Sequence, residues 1–130
     1  MTCDIMLENI LIAVDGSMHS QKAEDAGIEL ARLSKGKVIA LNVAKSGSEY
    51  DTGNMILKET EEKANKAGVP FQGKIIEGHP ATELMKFAED SKMDIIVMGS
   101  LGKTGIKKLL IGSVTESVIR HSKVPVLVVY

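Results

Sequence analysis

The sequence contains little of what several common protein classes require. Its one cysteine, Cys3, excludes an internal disulfide and any zinc site built from several cysteines, and it fits a reducing compartment. Tryptophan is absent and aromatic residues make up only 3% of the chain, which argues against platforms on which single-stranded nucleic acid stacks. The formal net charge is −1, so we expect no broad basic surface that attracts nucleic acid.

Long apolar runs are missing as well. The longest, such as Val124 to Val129, are far shorter than the roughly 20 residues of a membrane helix. The N-terminus carries Asp4 and Glu8 in place of the basic stretch that begins a signal peptide. We therefore expect a cytoplasmic protein that binds neither a membrane nor nucleic acid. Its 130 residues are 44% hydrophobic and 25% charged, which is ordinary for a single globular domain spanning 1–130.

Apolar runs alternate along the chain with segments of helical periodicity. Near-continuous apolar runs are typical of strands that are covered on both faces of a parallel sheet. The predicted strands are Asn9–Val14, Val38–Val43, Phe71–Glu77, Ile95–Met98 and Val124–Val129, and the predicted helices are Ser20–Ser34, Met55–Ala67, a segment starting at Pro80, and Val114–His121. The polar residues from Lys45 to Asn54 predict a loop, and Gly36 is expected just after the end of the first helix.

Five strands that alternate with four helices predict an α/β fold. We expect a doubly wound, Rossmann-like parallel sheet with helices on both faces, and the strand order expected for this fold is 3-2-1-4-5. Such sheets bind ligands beyond the carboxyl ends of their strands. Asp15 and Gly99 each follow directly after a predicted strand, so they are expected to share one site.

The stretch from Gly99 to Glu116 has the layout of a phosphate site, because it runs from a strand through a glycine-rich loop to a helix start. Glycine lets a ligand approach the main chain closely, and successive N–H groups can form a concave anion site. The unpaired N–H groups at a helix start also stabilise a phosphate. Gly102 and Gly112 are therefore placed to bracket a polyphosphate, with the hydroxyls of Ser113 and Thr115 nearby.

Spacing argues against two other nucleotide-binding motifs. Gly102-Lys103-Thr104 looks like the end of a Walker A loop, but that motif requires glycine at position 97, where this chain has Val97. The G-x-G-x-x-G pattern of a dinucleotide site is also absent. We therefore reject a P-loop NTPase and disfavour a dinucleotide-binding domain.

Several of these residues have a local structural alternative. Ser113 and Glu116 have the S-x-x-E spacing of a capping box, which predicts that Ser113 caps the last helix. Ser17 precedes the first helix, where a hydroxyl is an N-cap as readily as a ligand contact. Asp15 precedes a glycine, so it is either a ligand contact or a turn-former. Lys103 is a candidate for reaching a phosphate.

The spacing that does fit is G-x2-G-x9-G-[ST], which Gly99, Gly102, Gly112 and Ser113 satisfy. With this motif the chain resembles the ATP-binding branch of the universal stress protein family. The resemblance spans nearly the whole chain, and its flanking matches are Ala13-Val14-Asp15-Gly16-Ser17, Gly78-His79-Pro80-Ala81, the run from Asp94 to Ser100, and the run from Pro125 to Val129.

The resemblance implies an adenine nucleotide lying across the sheet edge. The ligand would be ATP, with Mg²⁺ or Mn²⁺ carried on its phosphates and no metal ligand from the protein. Adenosine would contact Ala13, Val14, Asp15 and Val43. The phosphates would contact Gly99, Gly102, Gly112, Ser113 and Val114. Further candidate contacts are Ser17, Met98, Ser100, Lys103 and Thr115.

The sequence predicts binding rather than catalysis, because no Ser-His-Asp arrangement or carboxylate pair can be assembled around this site. We expect an ATP-binding regulatory or stress-response module and assign no catalytic residue. The alternatives are a slow ATPase or autophosphorylating enzyme of the same fold, and a relative that has lost ATP and acts through protein contacts alone. The family uses its last strand, here Val124 to Val129, to dimerise at a sheet edge, so a homodimer is expected.

Overall fold

A computed structural model describes residues 7–101 and 111–130 of the chain. Its elements are β1 (Asn9–Ala13), α1 (Met18–Ser34), β2 (Lys37–Ala44), α2 (Tyr50–Lys66), β3 (Phe71–Glu77), α3 (Pro80–Asp90), β4 (Ile95–Gly99), α4 (Ser113–His121) and β5 (Val126–Val129). The strands pair in parallel in the order β3-β2-β1-β4-β5, which confirms the predicted α/β fold and strand order. None of the helices in the described ranges has the length and apolarity that a bilayer span requires.

The sheet separates two apolar layers, because successive side chains of a strand point to opposite faces. Ile10 and Ile12 pack with residues of α1 and α2 on one face. Leu11 packs with residues of α3 and α4 on the other face. These three side chains of β1 are each 0% exposed, which explains why the central strand is apolar at consecutive positions rather than at alternate ones.

The prediction of a loop from Lys45 to Asn54 is wrong for most of that segment. Gly47–Glu49 forms a 3-10 helix, and α2 begins at Tyr50, earlier than predicted. Gly53 lies within α2 on the side that packs against β2, where a Cβ would lie 2.6 Å from Asn42 Oδ1. The glycine that indicated a loop therefore serves a close contact between a helix and a strand.

α1 ends at Ser34, as predicted, but Gly36 does not have the conformation expected of the glycine after a helix. Lys35, not Gly36, adopts the left-handed conformation that ends the helix, with φ of 58°. Gly36 donates its N–H to the Ala31 carbonyl. Glycine is needed at position 36 for space, because a Cβ would lie 2.6 Å from the Leu7 carbonyl oxygen and 2.8 Å from that of Glu8.

Asp94 joins the amino end of β4 to that of β1. Its Oδ2 accepts hydrogen bonds from the N–H groups of Glu8 and Asn9, at 3.0 and 2.8 Å. Hydrogen bonds to an ionised acceptor are stronger than neutral ones. This contact therefore aligns the central pair of strands at the edge opposite their carboxyl ends.

Glu24 is a buried carboxylate between α1 and α2, with only 3% of the residue exposed. Thr60 Oγ1 donates to its Oε1 at 2.8 Å, and Lys63 Nζ lies 3.6 Å away. Burial raises the pKa of the Glu24 carboxyl above its ordinary value of 4.5, although the hydrogen bond from Thr60 and the charge of Lys63 act in the opposite direction.

We expect Glu24 to make the protein less stable as the pH rises above 4.5. The folded state binds the Glu24 proton more tightly than the unfolded chain, so this stability is present at low pH and lost as the pH passes through the raised pKa. Glu24→Gln stays neutral and still accepts from Thr60, so its free energy of unfolding should fall less with pH. Urea unfolding from about pH 4 to 8 measures this. Glu62→Gln, exposed on α2, is the control, and equal slopes for both variants would contradict the prediction.

Candidate functional site

A cleft of about 480 Å³ opens at the carboxyl edge of the sheet, beyond the ends of β1, β2 and β4. Its position follows from the strand order, because β2 lies on one side of β1 and β4 on the other. The connections that follow β1 and β4 therefore leave the sheet in opposite directions. The place where the strand order reverses in this way is called a topological switch point, and ligand clefts form there.

Most of the candidate contacts from the sequence border this cleft. They are Ala13, Val14, Asp15, Val43, Met98, Gly99, Gly112, Ser113, Val114 and Thr115. Ser17 and Ser100 do not border it. Gly102 and Lys103 lie outside the described residues. The cleft therefore connects the end of β1 with the start of α4.

Asp15, Ser17 and Ser20 build the turn from β1 into α1. Ser17 is the N-cap of α1, and its hydroxyl oxygen accepts from the Ser20 N–H at 3.1 Å. Asp15 Oδ1 accepts from the Ser17 N–H at 2.9 Å, and the Asp15 N–H donates to Ser20 Oγ at 3.0 Å. Gly16 between them has φ of 85°, a conformation that favours glycine. Ser17 thus has the capping role that the sequence allowed, whereas Asp15 both forms the turn and borders the cleft.

Gly99 lies where the end of β4 meets the first turn of α1. A Cβ at this position would lie 2.7 Å from the carbonyl carbon of His19 and 2.8 Å from its Cβ and oxygen. The Gly99 carbonyl accepts from Thr115 Oγ1 at 2.8 Å, and Thr115 is buried. The first glycine of the motif is therefore required by packing, and the hydroxyl proton of Thr115 is used to attach α4 to β4.

The prediction that Ser113 caps α4 is wrong. Gly112 is the N-cap, with φ of −74° and ψ of 165°, and Ser113 is the first helical residue. The Gly112 N–H donates to the Ser100 carbonyl at 2.7 Å, which fixes the approach to the helix. Among the described residues no side chain caps this helix, and its first residues, Ser113 and Val114, border the cleft. The start of α4 therefore lies where a helix N-terminus can bind an anion.

The wall of the cleft opposite α4 was missed by the sequence analysis. It is formed by Lys45, Ser48, Glu49, Thr52, Gly53 and Ile56. Glu49 Oε1 accepts from the Lys45 N–H at 2.7 Å, which closes the turn after β2. The signal in the sequence that could have identified these residues is that the polar segment directly follows a predicted strand, as Asp15 and Gly99 do. Other bordering residues that were not predicted are Ser20, Leu41, Asn42, Pro80, Leu84 and Leu101.

The charged groups that border the cleft are few. Among the described residues they are the carboxylates of Asp15 and Glu49 and the ammonium group of Lys45. In the same part of the chain, no three His, Cys, Asp or Glu side chains are grouped so that they could hold a metal ion.

Comparison with known proteins gives consistent matches. The profile of the Universal stress protein family matches residues 6–130. Universal stress protein MJ0531 of Methanocaldococcus jannaschii is 36% identical over 140 residues, which cover 95% of this chain and 82% of that protein.

Two solved structures share the fold and enough sequence for closer comparison. The structure of MJ0577 from M. jannaschii has a TM-score of 0.81 and 34% identity, with 96% of each chain covered. A universal stress protein in complex with cAMP has a TM-score of 0.82 and 29% identity, with 96% of this chain and 98% of that chain covered.

Proposed function

This chain belongs to the universal stress protein family, and on that premise we propose that it is a nucleotide-dependent regulatory module whose cleft binds an adenine nucleotide. The observation that carries the proposal is the cleft itself, which connects the α4 N-terminus with the carboxyl ends of β1 and β2. The cAMP complex of a protein that is 29% identical supports the same ligand class.

The two ends of the cleft suit the two ends of a nucleotide. Val14 is buried and Val43 partly buried at the strand ends, and they offer apolar contact to a base. The N–H groups of the first turn of α4, around Ser113 and Val114, offer partial positive charge to a phosphate. Asp15 lies at the end of β1 and is placed to accept hydrogen bonds from ribose hydroxyls.

The ligand that we propose is ATP, with Mg²⁺ or Mn²⁺ carried on its phosphates. Mg²⁺ is held in proteins through one or two carboxylates together with substrate phosphates and water. The ion would be held mainly by the phosphates and water, and the carboxylates of Asp15 and Glu49, which border the cleft, are compatible with its charge. The bound ion would neutralise phosphate charge. The contributions of Gly102 and Lys103 rest on the spacing of the motif.

We expect AMP and ATP to raise the midpoint of thermal unfolding, and Mg-ATP to raise it most. A ligand that binds only the folded state at about 100 times its Kd adds about 2.7 kcal/mol, or roughly 10 °C for a chain of this size. Differential scanning fluorimetry with each nucleotide, with Mg²⁺ and with EDTA measures the shift. No shift with any adenine nucleotide at millimolar concentration would contradict the proposal, and equal shifts for AMP and Mg-ATP would contradict the preference for ATP.

The alternative function is a slow ATPase or an autophosphorylating enzyme. Among the described residues at the cleft, Asp15 and Glu49 are those whose carboxylates could act as a general base toward water or a hydroxyl. Release of ADP and transfer of label from γ-labelled ATP to the protein separate an enzyme from a binding protein. ATP-dependent stabilisation without either product would support the binding role.

We also propose that the protein is a cytoplasmic homodimer formed through β5. In the described sheet β5 pairs with β4 and forms an edge. Near this edge Leu127 is 39% exposed, Ile119 47% and Tyr130 66%, so apolar side chains accompany a strand edge that can accept another chain. Sedimentation at micromolar concentration tests the assembly, and a monomer of 14.0 kDa would contradict it.

A further inference from the structure

The hydrogen-bond ladder between β1 and β2 stops at the floor of the cleft. Its last rung runs from the Val14 N–H to the Leu41 carbonyl, at 3.0 Å. In a parallel ladder of this register, the next rung would join the Val43 N–H to the Val14 carbonyl. Within the described residues that rung is not formed, and β1 ends at Ala13.

The side chain of Asn42 takes the place of the missing rung. Its Nδ2 donates to the Val14 carbonyl at 2.9 Å, and Asn42 is 7% exposed in a strand whose other buried residues are apolar. A buried amide is stable only when it is hydrogen-bonded. Gly53 of α2 leaves the space that this amide needs, since a Cβ there would lie 2.6 Å from Asn42 Oδ1.

The consequence is that the main chain of Val43 is directed at the cleft. Alternate residues of a parallel strand direct both of their main-chain groups to the same neighbouring strand. The Ala44 carbonyl accepts from Gly78, which follows β3, so Ala44 faces β3 and Val43 faces the side of β1. Because β1 has already left the sheet there, the Val43 N–H and carbonyl form a donor–acceptor pair on the cleft floor.

We propose that Asn42 is a positioning residue that selects the base of the nucleotide. By occupying the Val14 carbonyl, its amide keeps the Val43 pair open to a ligand. Adenine presents an acceptor at N1 beside a donor at N6, whereas hypoxanthine presents a donor at N1 beside an acceptor at O6. The Val43 N–H can only donate and the Val43 carbonyl can only accept, so this pair matches N1 and N6 of adenine. In the same orientation hypoxanthine would set donor against donor and acceptor against acceptor. This inference rests on the proposed nucleotide function.

We expect Asn42→Leu and Asn42→Asp to reduce the preference for AMP over IMP. Neither side chain can donate to the Val14 carbonyl, so Val43 is expected to pair with Val14 instead of the base. Isothermal titration calorimetry with AMP and IMP should give a ratio of affinities of at least about tenfold for the natural chain and near one for both variants. Gly53→Ala, which displaces the amide, should lower the ratio while Asn42 is still present.

The control is Asp94→Asn, which weakens the contact at the opposite edge of the sheet and should leave the AMP to IMP ratio unchanged. A natural chain that binds neither nucleotide would overturn the proposed function together with this inference. A natural preference for AMP that both Asn42 variants retain would overturn the inference alone. Parallel loss of both affinities would also overturn it, because it would show a structural role only. If Asn42→Leu does not fold, the AMP to IMP ratios of Asn42→Asp and Gly53→Ala test the inference.

Discussion

Gly99→Ala should lower the free energy of unfolding by about 3 kcal/mol, among the largest effects of a single methyl group in this protein. The added carbon would lie 2.7 Å from the carbonyl carbon of His19 and 2.8 Å from its oxygen. These are main-chain atoms of α1, so the clash cannot be relieved by a change of rotamer, and the helix must move from β4. Urea unfolding monitored by circular dichroism measures the loss.

Gly47→Ala is the matched control, because a Cβ at Gly47 meets nothing within 4 Å. Its free energy of unfolding should change by less than about 0.5 kcal/mol. Equal stability of the two variants would contradict the packing role of Gly99. If that role is correct, loss of nucleotide binding in Gly99 variants is not evidence that Gly99 contacts a phosphate.

Ser113→Glu should move stability and nucleotide affinity in opposite directions. Ser113 is exposed, is the first residue of α4 and borders the cleft. A carboxylate at a helix N-terminus stabilises the helix by about 0.3–1 kcal/mol. The same charge would repel a phosphate bound there, so we expect the affinity for ATP to fall about 100-fold. Urea unfolding without ligand and calorimetry with Mg-ATP measure the two effects.

Ser113→Gln controls for side-chain volume, since Gln is as large as Glu and carries no charge. It should retain most of the affinity for Mg-ATP. Equal loss for Glu and Gln would show that volume decides the effect, and unchanged affinity in Ser113→Glu would place the phosphates away from α4. Either result would remove the argument that the α4 N-terminus is the phosphate end of the cleft.

The fold could be predicted because its central strands β1, β2 and β4 are buried on both faces. Such a strand has to be apolar at consecutive positions, as Ile10, Leu11 and Ile12 are, and each intervening helix has to be amphipathic. That alternation indicates a parallel sheet without knowledge of any contact. The switch point between β2 and β4 then puts the ends of β1 and β4 on one edge, so Asp15 and Gly99 could be placed together from the sequence.

The wall formed by α2 could not be predicted in the same way. Gly47 and Gly53 in a polar segment indicate a loop when they are judged by propensity. Position 53 of α2 is a glycine because the amide of Asn42 lies where a Cβ would be, and that contact joins residues of different elements. The roles of Gly112 and Ser113 at the α4 N-terminus likewise depended on where the chain turns, which the spacing of the capping box does not specify.

The succession of strands and helices, the edge that carries the site and the motif residues follow from the sequence, because hydrophobic periodicity and turn chemistry are local properties. The strand order was the one expected for a fold of this class. The shape of the cleft and the role of each glycine follow only from tertiary contacts. Gly99 is glycine because of His19, and Gly53 because of Asn42. The Val43 main chain faces the cleft because β1 ends at Ala13 and Asn42 occupies the carbonyl of Val14, the next residue. Such contacts join positions far apart in the chain, and no local pattern of residues records them.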